Sequence, residues 1–323
     1  MKEADYVPGF DWLRIIGSII IVLAHNGLLL PLLYSHFSIY RLISFVVPAF
    51  FITSGALCAR GFSKERVFRQ VVRYGSIYLA ISLCLILYVQ FKSGHFQLSA
   101  VLAGLLKSLV CRHYLSVQLW FIPALLYPMI LNAFLNGKSR KAVIAATAIL
   151  LVVKESIGDE NLLPVLERFL SSLPEKWRVI SAQGMNRIGW HILVGLLYTT
   201  IGFDIATWKV RPVHLLPAVI PLTAFDLAVH YTGITCILLS ILFYWLLERL
   251  PGKKMYPYHM EITYFAGTMY FLHFIERYFI IRFITWHTPA IILLTIAINL
   301  FLALAISRIA RFGIKKEKTD YPA

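Results

Sequence analysis

FDWLRIIGSIIIVLAH, residues 10–25, decides how the rest of the chain is read. With the apolar residues that follow, it makes a run over 10–32, long enough as a helix to cross ~30 Å of hydrocarbon. Yet it holds Asp11, Arg14 and His25. Charge inside such a span costs at least ~2.5–3.5 kcal/mol, so residues of this kind face a cavity, pair with each other, or act. Arg14 and His25 are eleven residues apart. At 100° per residue that is within ~20° of eclipsed, with a rise of about 16 Å. One stripe of one helix therefore carries a guanidinium low and an imidazole high.

The surroundings agree with a membrane helix. The 323 residues are 59% hydrophobic and 15% charged, against roughly 25% charged in an average soluble domain. Mean hydropathy is +0.72. The head before the first run contains Lys2 but also Glu3 and Asp5. No small-residue cleavage pattern follows the run, which reads as a retained helix. Further apolar runs give candidate spans at 42–59, 73–91, 118–136, 142–157, 188–206, 212–230, 232–250, 263–284 and 289–309. Segments 96–111 and 161–180 mix apolar residues with charge, and are expected to be interfacial helices lying on the membrane. The expected fold is all-α, a polytopic membrane helix bundle of about ten transmembrane helices plus interfacial ones. Residues 1–323 are expected to form a single integral membrane domain with no separate soluble domain.

The 31 Lys and Arg outnumber 16 Asp and Glu. In a soluble protein that excess would suggest nucleic acid, but here the charges sit at the ends of the apolar runs. With the N-terminus in the cytoplasm, more than half of them fall in inside joints: Arg60 to Arg73, Lys138 to Lys141, Lys209 and Arg211, Arg249 to Lys254, and the C-terminal tail. This is the positive-inside pattern, and it puts both termini in the cytoplasm. The four cysteines, Cys58, Cys84, Cys111 and Cys236, are scattered and suggest neither a disulfide framework nor a metal site.

Two readings of the first span stay open. In one, Asp11 and Arg14, three apart, form an ion pair where the helix begins, while His25 hydrogen bonds to a neighbouring helix. In the other, Arg14 binds an anionic group arriving from the cytoplasm and His25 is a general base, since an imidazole is mostly neutral at pH 7. The run RGFSKERVFRQVVRYGSIY, residues 60–78, sets Arg66, Arg69 and Arg73 at spacings of three and four. It is a topogenic joint, or alternatively a phosphate-binding patch, for guanidinium groups grip phosphate in a bidentate way. Coenzyme A would supply such phosphates. His191, Asp226, His230, His273 and Glu276 cluster toward the outer ends of later spans. Singly each reads as a helix-to-helix hydrogen bond; together they suggest a polar cavity opening outward. No Gly-rich phosphate loop, HExxH, GxSxG or CxxC occurs. The Ser54–Gly55 pair of FFITSGALCAR reads as a place for close helix approach.

With these motifs in hand, the chain resembles the acyltransferase-3 family of ten-helix membrane acyltransferases, over nearly its whole length. FDWLRIIGSIIIVLAH is similar to that family's opening helix with its Arg-x10-His spacing, and FFITSG to its second-helix word. The cluster Arg66, Arg69 and Arg73 falls where the family carries cytoplasmic arginines. LWFIPALL, residues 119–126, and TMYFLH, residues 268–273, resemble two later motifs.

The resemblance implies an O-acyltransferase of the bacterial inner membrane. It would move an acetyl or succinyl-like group from cytoplasmic acyl-CoA to a hydroxyl of a cell-envelope carbohydrate or glycolipid. It implies His25 as the catalytic histidine with Arg14 and Asp11 beside it. Arg14, Arg66, Arg69 and Arg73 would contact acetyl-CoA; Trp120 and His273, which match family motifs, together with His191, Asp226 and Glu276, read from their polarity at outer span ends, are the residues expected to meet the acceptor. Membrane lipid is an expected partner; metal and nucleic acid are not. The family subgroup that carries acidic residues after its LW motif, and an appended esterase-like domain, is not matched, which favours a stand-alone enzyme. The alternative is a transporter or flippase for a lipid-linked or polysaccharide substrate, whose buried charges would line a pathway.

Overall fold

The computed structural model describes residues 7–25, 45–60, 62–109, 117–157, 164, 167–168, 171–172, 174–206, 221, 234–250, 258–269 and 288–320. Among them every regular element is helical: α1 (Pro8–His25), α2 (Val46–Arg60), α3 (Lys64–Ser93), α4 (Leu98–Leu109), a 3-10 turn (Val117–Trp120), α5 (Phe121–Asn132), α6 (Gly137–Ile157), α7 (Glu175–Ile205), α8 (Ile234–Arg249), α9 (259–269) and α10 (Thr288–Asp320). The fold class is all-α. The chain divides into two compact units, one comprising Met1–Val47 and Phe243–Ala323, the other Pro48–Leu242.

In the first unit, Pro8 opens α1 where its missing N–H costs nothing, and Asp11 in the first turn favours the positive helix end. Gly9 lies so close to the Leu247 carbonyl that no side chain could stand between them, and Phe10 packs on Tyr244 with ring centres 5.7 Å apart. Further along, Phe265, Met269 and Ala303 make a buried core with Ile19 of α1, Tyr264 and Ile296. Thr268 donates to the Asn299 carbonyl at 3.3 Å, tying α9 to α10.

In the second unit, α7 packs against α5 and α6, and α3 against α4 and α5. Two sequence words converge on α7. Gly55 of FFITSG abuts the Thr199 backbone, Gly202 abuts the Ile52 carbonyl, and Gly195 abuts Ala124 of LWFIPALL. Small residues let helix backbones touch, so Gly55 serves close approach as its sequence suggests. Asn132 of α5 is fully buried and donates to the Pro128 carbonyl and to the Thr200 hydroxyl, both at 2.9 Å. That bond carries polar specificity across the α5–α7 contact.

α3 is the one helix among the described residues that is long and apolar enough to cross a membrane, its most apolar 18 residues having a mean hydropathy of 1.7. Val46–Arg60, Phe121–Asn132, His191–Ile205 and Leu293–Ile309 are shorter apolar helical stretches. α3 starts at Lys64, nine residues ahead of the expected 73. Ser63, in extended conformation, accepts from the Arg66 N–H at 3.1 Å and caps the helix. It ends at Gly94, whose φ of 71° is the left-handed conformation that glycine adopts without strain. Only Val67, Tyr78, Ser82 and Ile86 of α3 are buried, while Val72, Ile77, Leu79 and Leu83 are exposed.

Of the two segments expected as interfacial helices, one carries its own helix and one needs correction. Segment 96–111, expected as an interfacial helix, holds α4 in its described part, and that helix folds back along α3: the Tyr78 hydroxyl donates to the Ser108 carbonyl at 2.6 Å and Gly104 meets Ile86. Contact with the long helix sets its direction, and Leu98, Leu102, Leu106 and Leu109 form an exposed stripe on its far side. In segment 161–180, residues 175–180 belong to α7, which runs unbroken to Ile205. The expected separate interfacial helix is thus not found at 175–180: Glu175, Lys176, Arg178 and Arg187 are competent helix formers, and their charge does not interrupt α7.

Candidate functional site

Asp11 is 1% exposed. An ionised carboxylate so buried must collect donors, because each unsatisfied lone pair costs desolvation energy. Arg14, one turn on, brings Nη1 to Oδ1 at 2.6 Å. His259, at the start of α9, brings Nδ1 to Oδ2 at 2.8 Å and to Oδ1 at 3.0 Å. With a carboxylate as acceptor, Nδ1 is the nitrogen that carries the hydrogen. Arg14 and His259 are mostly buried, at 22% and 15% side-chain exposure. The Ser18 hydroxyl donates to the Arg14 carbonyl, and Thr263 donates to that of His259 at 2.9 Å, steadying both backbones.

The expected Asp11–Arg14 pair is therefore present, and His259 is a third member that the sequence reading missed. It stands four residues before the apolar run expected at 263, inside YPYHMEITY, and so falls outside every expected span. The usable signal was helical period extending back through 259. α1 runs without a break from Pro8 to His25, so the Arg14 and His25 backbones are about 16 Å apart along one axis. The His25 side chain lies outside the described residues, as do Asp226, His273 and Glu276.

Arg66, Arg69 and Arg73 lie on the first three turns of α3, with Arg69 and Arg73 exposed. Successive turns bring them within ~60° of one another on one side of the helix. Glu65 is the acidic residue of the first turn, and cations at a helix N-terminus oppose the backbone dipole. The patch is thus suited electrostatically to an anion. Lys64 sits over the Phe134 ring, 4.9 Å from its centre. Nearby, Lys64, Glu65, Phe68, Ile130 and Phe134 border an open depression of about 300 Å³.

Trp120 and His191, both expected to meet the acceptor, are brought together. Their rings stack with centres 4.2 Å apart and planes 15° from parallel. Trp120 also approaches Phe51 at 6.0 Å, and the fully buried Phe51 ring stands 4.4 Å from Phe121. FFITSG, LWFIPALL and α7 thus meet in one aromatic cluster. Among the described residues no group of three or more His, Cys, Asp or Glu is placed to hold a metal.

Comparison of the chain with protein-family models, with curated proteins and with solved structures finds no match.

Proposed function

We propose that this chain is a polytopic membrane O-acyltransferase, with about ten spans and cytoplasmic termini. It would transfer an acetyl or succinyl-like group from acyl-CoA to a hydroxyl of a cell-envelope carbohydrate or glycolipid. The observation that carries the reading is a guanidinium anchored by a buried carboxylate on the same unbroken helix that ends in His25. The exposed apolar faces of α3 and α4 support a lipid surrounding, for such area is rarely left to water.

In this reading the guanidinium groups of Arg66, Arg69 and Arg73 take coenzyme A phosphates as charge-assisted, bidentate acceptors. Arg14 engages the donor on α1. The His25 imidazole takes the proton of the acceptor hydroxyl as its oxygen attacks the thioester carbonyl. The tetrahedral adduct collapses, the carbon–sulfur bond breaks, and the coenzyme A thiolate leaves and recovers the proton from His25. Positioned base catalysis of this kind is worth ~10²–10⁴-fold. Trp120 and His191, whose rings stack on each other, meet the acceptor in this reading, aromatic rings being a surface of the sort that sugars lie against.

Radiolabelled acetyl-CoA with the purified protein tests this. Thioester turnover in the wild type that is lost in His25→Ala, with the variant still folded, is the expected result. Turnover unaltered in that variant would remove His25 from the chemistry. The second reading, a transporter or flippase, draws on the buried Asp11–Arg14–His259 group, since intramembrane ionisable clusters also line ion and substrate pathways. Absence of wild-type turnover, together with substrate flux in proteoliposomes, would favour it.

A further inference from the structure

We infer that His259 is a positioning residue that keeps Arg14 available to an anionic ligand by denying it the second oxygen of Asp11; the inference rests on the acyltransferase reading for the identity of that ligand. Arginine and carboxylate pair most strongly through two parallel bonds, with both oxygens engaged. Here the pair is held by one nitrogen. Nη1 of Arg14 meets Oδ1 at 2.6 Å, while Oδ2 is taken by His259 Nδ1 at 2.8 Å.

The imidazole thus occupies the place that a bidentate guanidinium would use. Among the described residues Arg14 makes no other side-chain hydrogen bond or ion pair, so most of its five N–H donors stay uncommitted to this cluster. Asp11 orients Arg14 without saturating it. Were His259 removed, the buried Oδ2 would lose a donor, and the Arg14 guanidinium, already bonded to the neighbouring Oδ1, is within reach to turn toward it. The pair would close and the anion site with it.

Covalent structure supplies a sharp test. The side-chain nitrogen of asparagine is bonded to Cγ, as Nδ1 of histidine is, so His259→Asn can place an N–H at the same point. Glutamine sets its nitrogen one bond further out and cannot. His259→Ala and His259→Gln are expected to raise the KM for acetyl-CoA by about tenfold or more with kcat nearly unchanged, the signature of lost ground-state binding. His259→Asn is expected to stay within about threefold of wild type. Independently of turnover, the rate at which phenylglyoxal labels Arg14, followed by peptide mass spectrometry, should fall several-fold in His259→Ala and recover in His259→Asn.

Unchanged KM and unchanged Arg14 labelling in His259→Ala would overturn the inference. So would equal losses in the Ala and Asn variants, which would mark a packing role only. If the wild type turns over no thioester, the acyltransferase reading fails, and the labelling series alone decides the role of His259.

Discussion

The imidazole of His191 lies face to face with the indole of Trp120, ring centres 4.2 Å apart. The two residues come from α7 and from the turn before α5, so the stack exists only when those helices are docked. Aromatic pairs of this kind add ~0.5–1.5 kcal/mol beyond area burial. Trp120→Phe keeps a flat ring and is expected to hold most acceptor-dependent turnover. Trp120→Ala should lose about tenfold or more and lower the melting temperature in detergent. An alanine variant with normal kinetics for the acceptor would leave Trp120 a packing residue.

Glycines of the second unit should answer oppositely to alanine. At Gly55 an added methyl meets the Thr199 carbonyl, backbone that cannot step aside. Overpacking of this sort costs ~1–3 kcal/mol. At Gly75 the added methyl would stand 3.7 Å from a Leu126 methyl, an ordinary contact. There the helix gains roughly 0.5–1 kcal/mol from the change. Thermal melts of Gly55→Ala and Gly75→Ala should move in opposite directions.

Cys84 reports on the surroundings of α3. Its side chain is exposed on the protein surface, in the apolar half of the helix. If that surface faces acyl chains, a charged, water-soluble maleimide should not label Cys84 in intact membranes from either side, and should label it after detergent denaturation. Prompt labelling in intact vesicles would contradict a membrane position for α3.

Arg69 and Arg73 should act on the donor alone. Arg69→Gln with Arg73→Gln is expected to raise the KM for acetyl-CoA about tenfold and to flatten its dependence on salt, since exposed charges are screened. A loss confined to kcat would move these residues away from phosphate binding.

Apolar runs located most helices, because burial or lipid contact demands long stretches free of charge, and 232–250 and 289–309 coincide closely with α8 and the apolar part of α10. Helix ends rich in charge were harder to see. Residues 64–72 read as a joint and 175–180 as the end of an interfacial helix, although Ser63 and the three-and-four spacing of the arginines already mark α3 as a helix reaching back to Lys64. The Asp11–Arg14 pair was legible because both members share one turn. His259 and the Trp120–His191 stack were not, since which helices lie side by side depends on packing between distant segments.

The early start of α3 changes what its arginines are. Thirty residues measure about 45 Å, against ~30 Å of oil in a bilayer. A rod of that length crossing upright leaves about 15 Å, nearly three turns, outside the oil, so that its guanidinium groups ride on a stiff mast instead of a slack tether. An anion that lands there freezes little backbone motion, so association is relieved of an entropic toll that a loop of the same composition would exact.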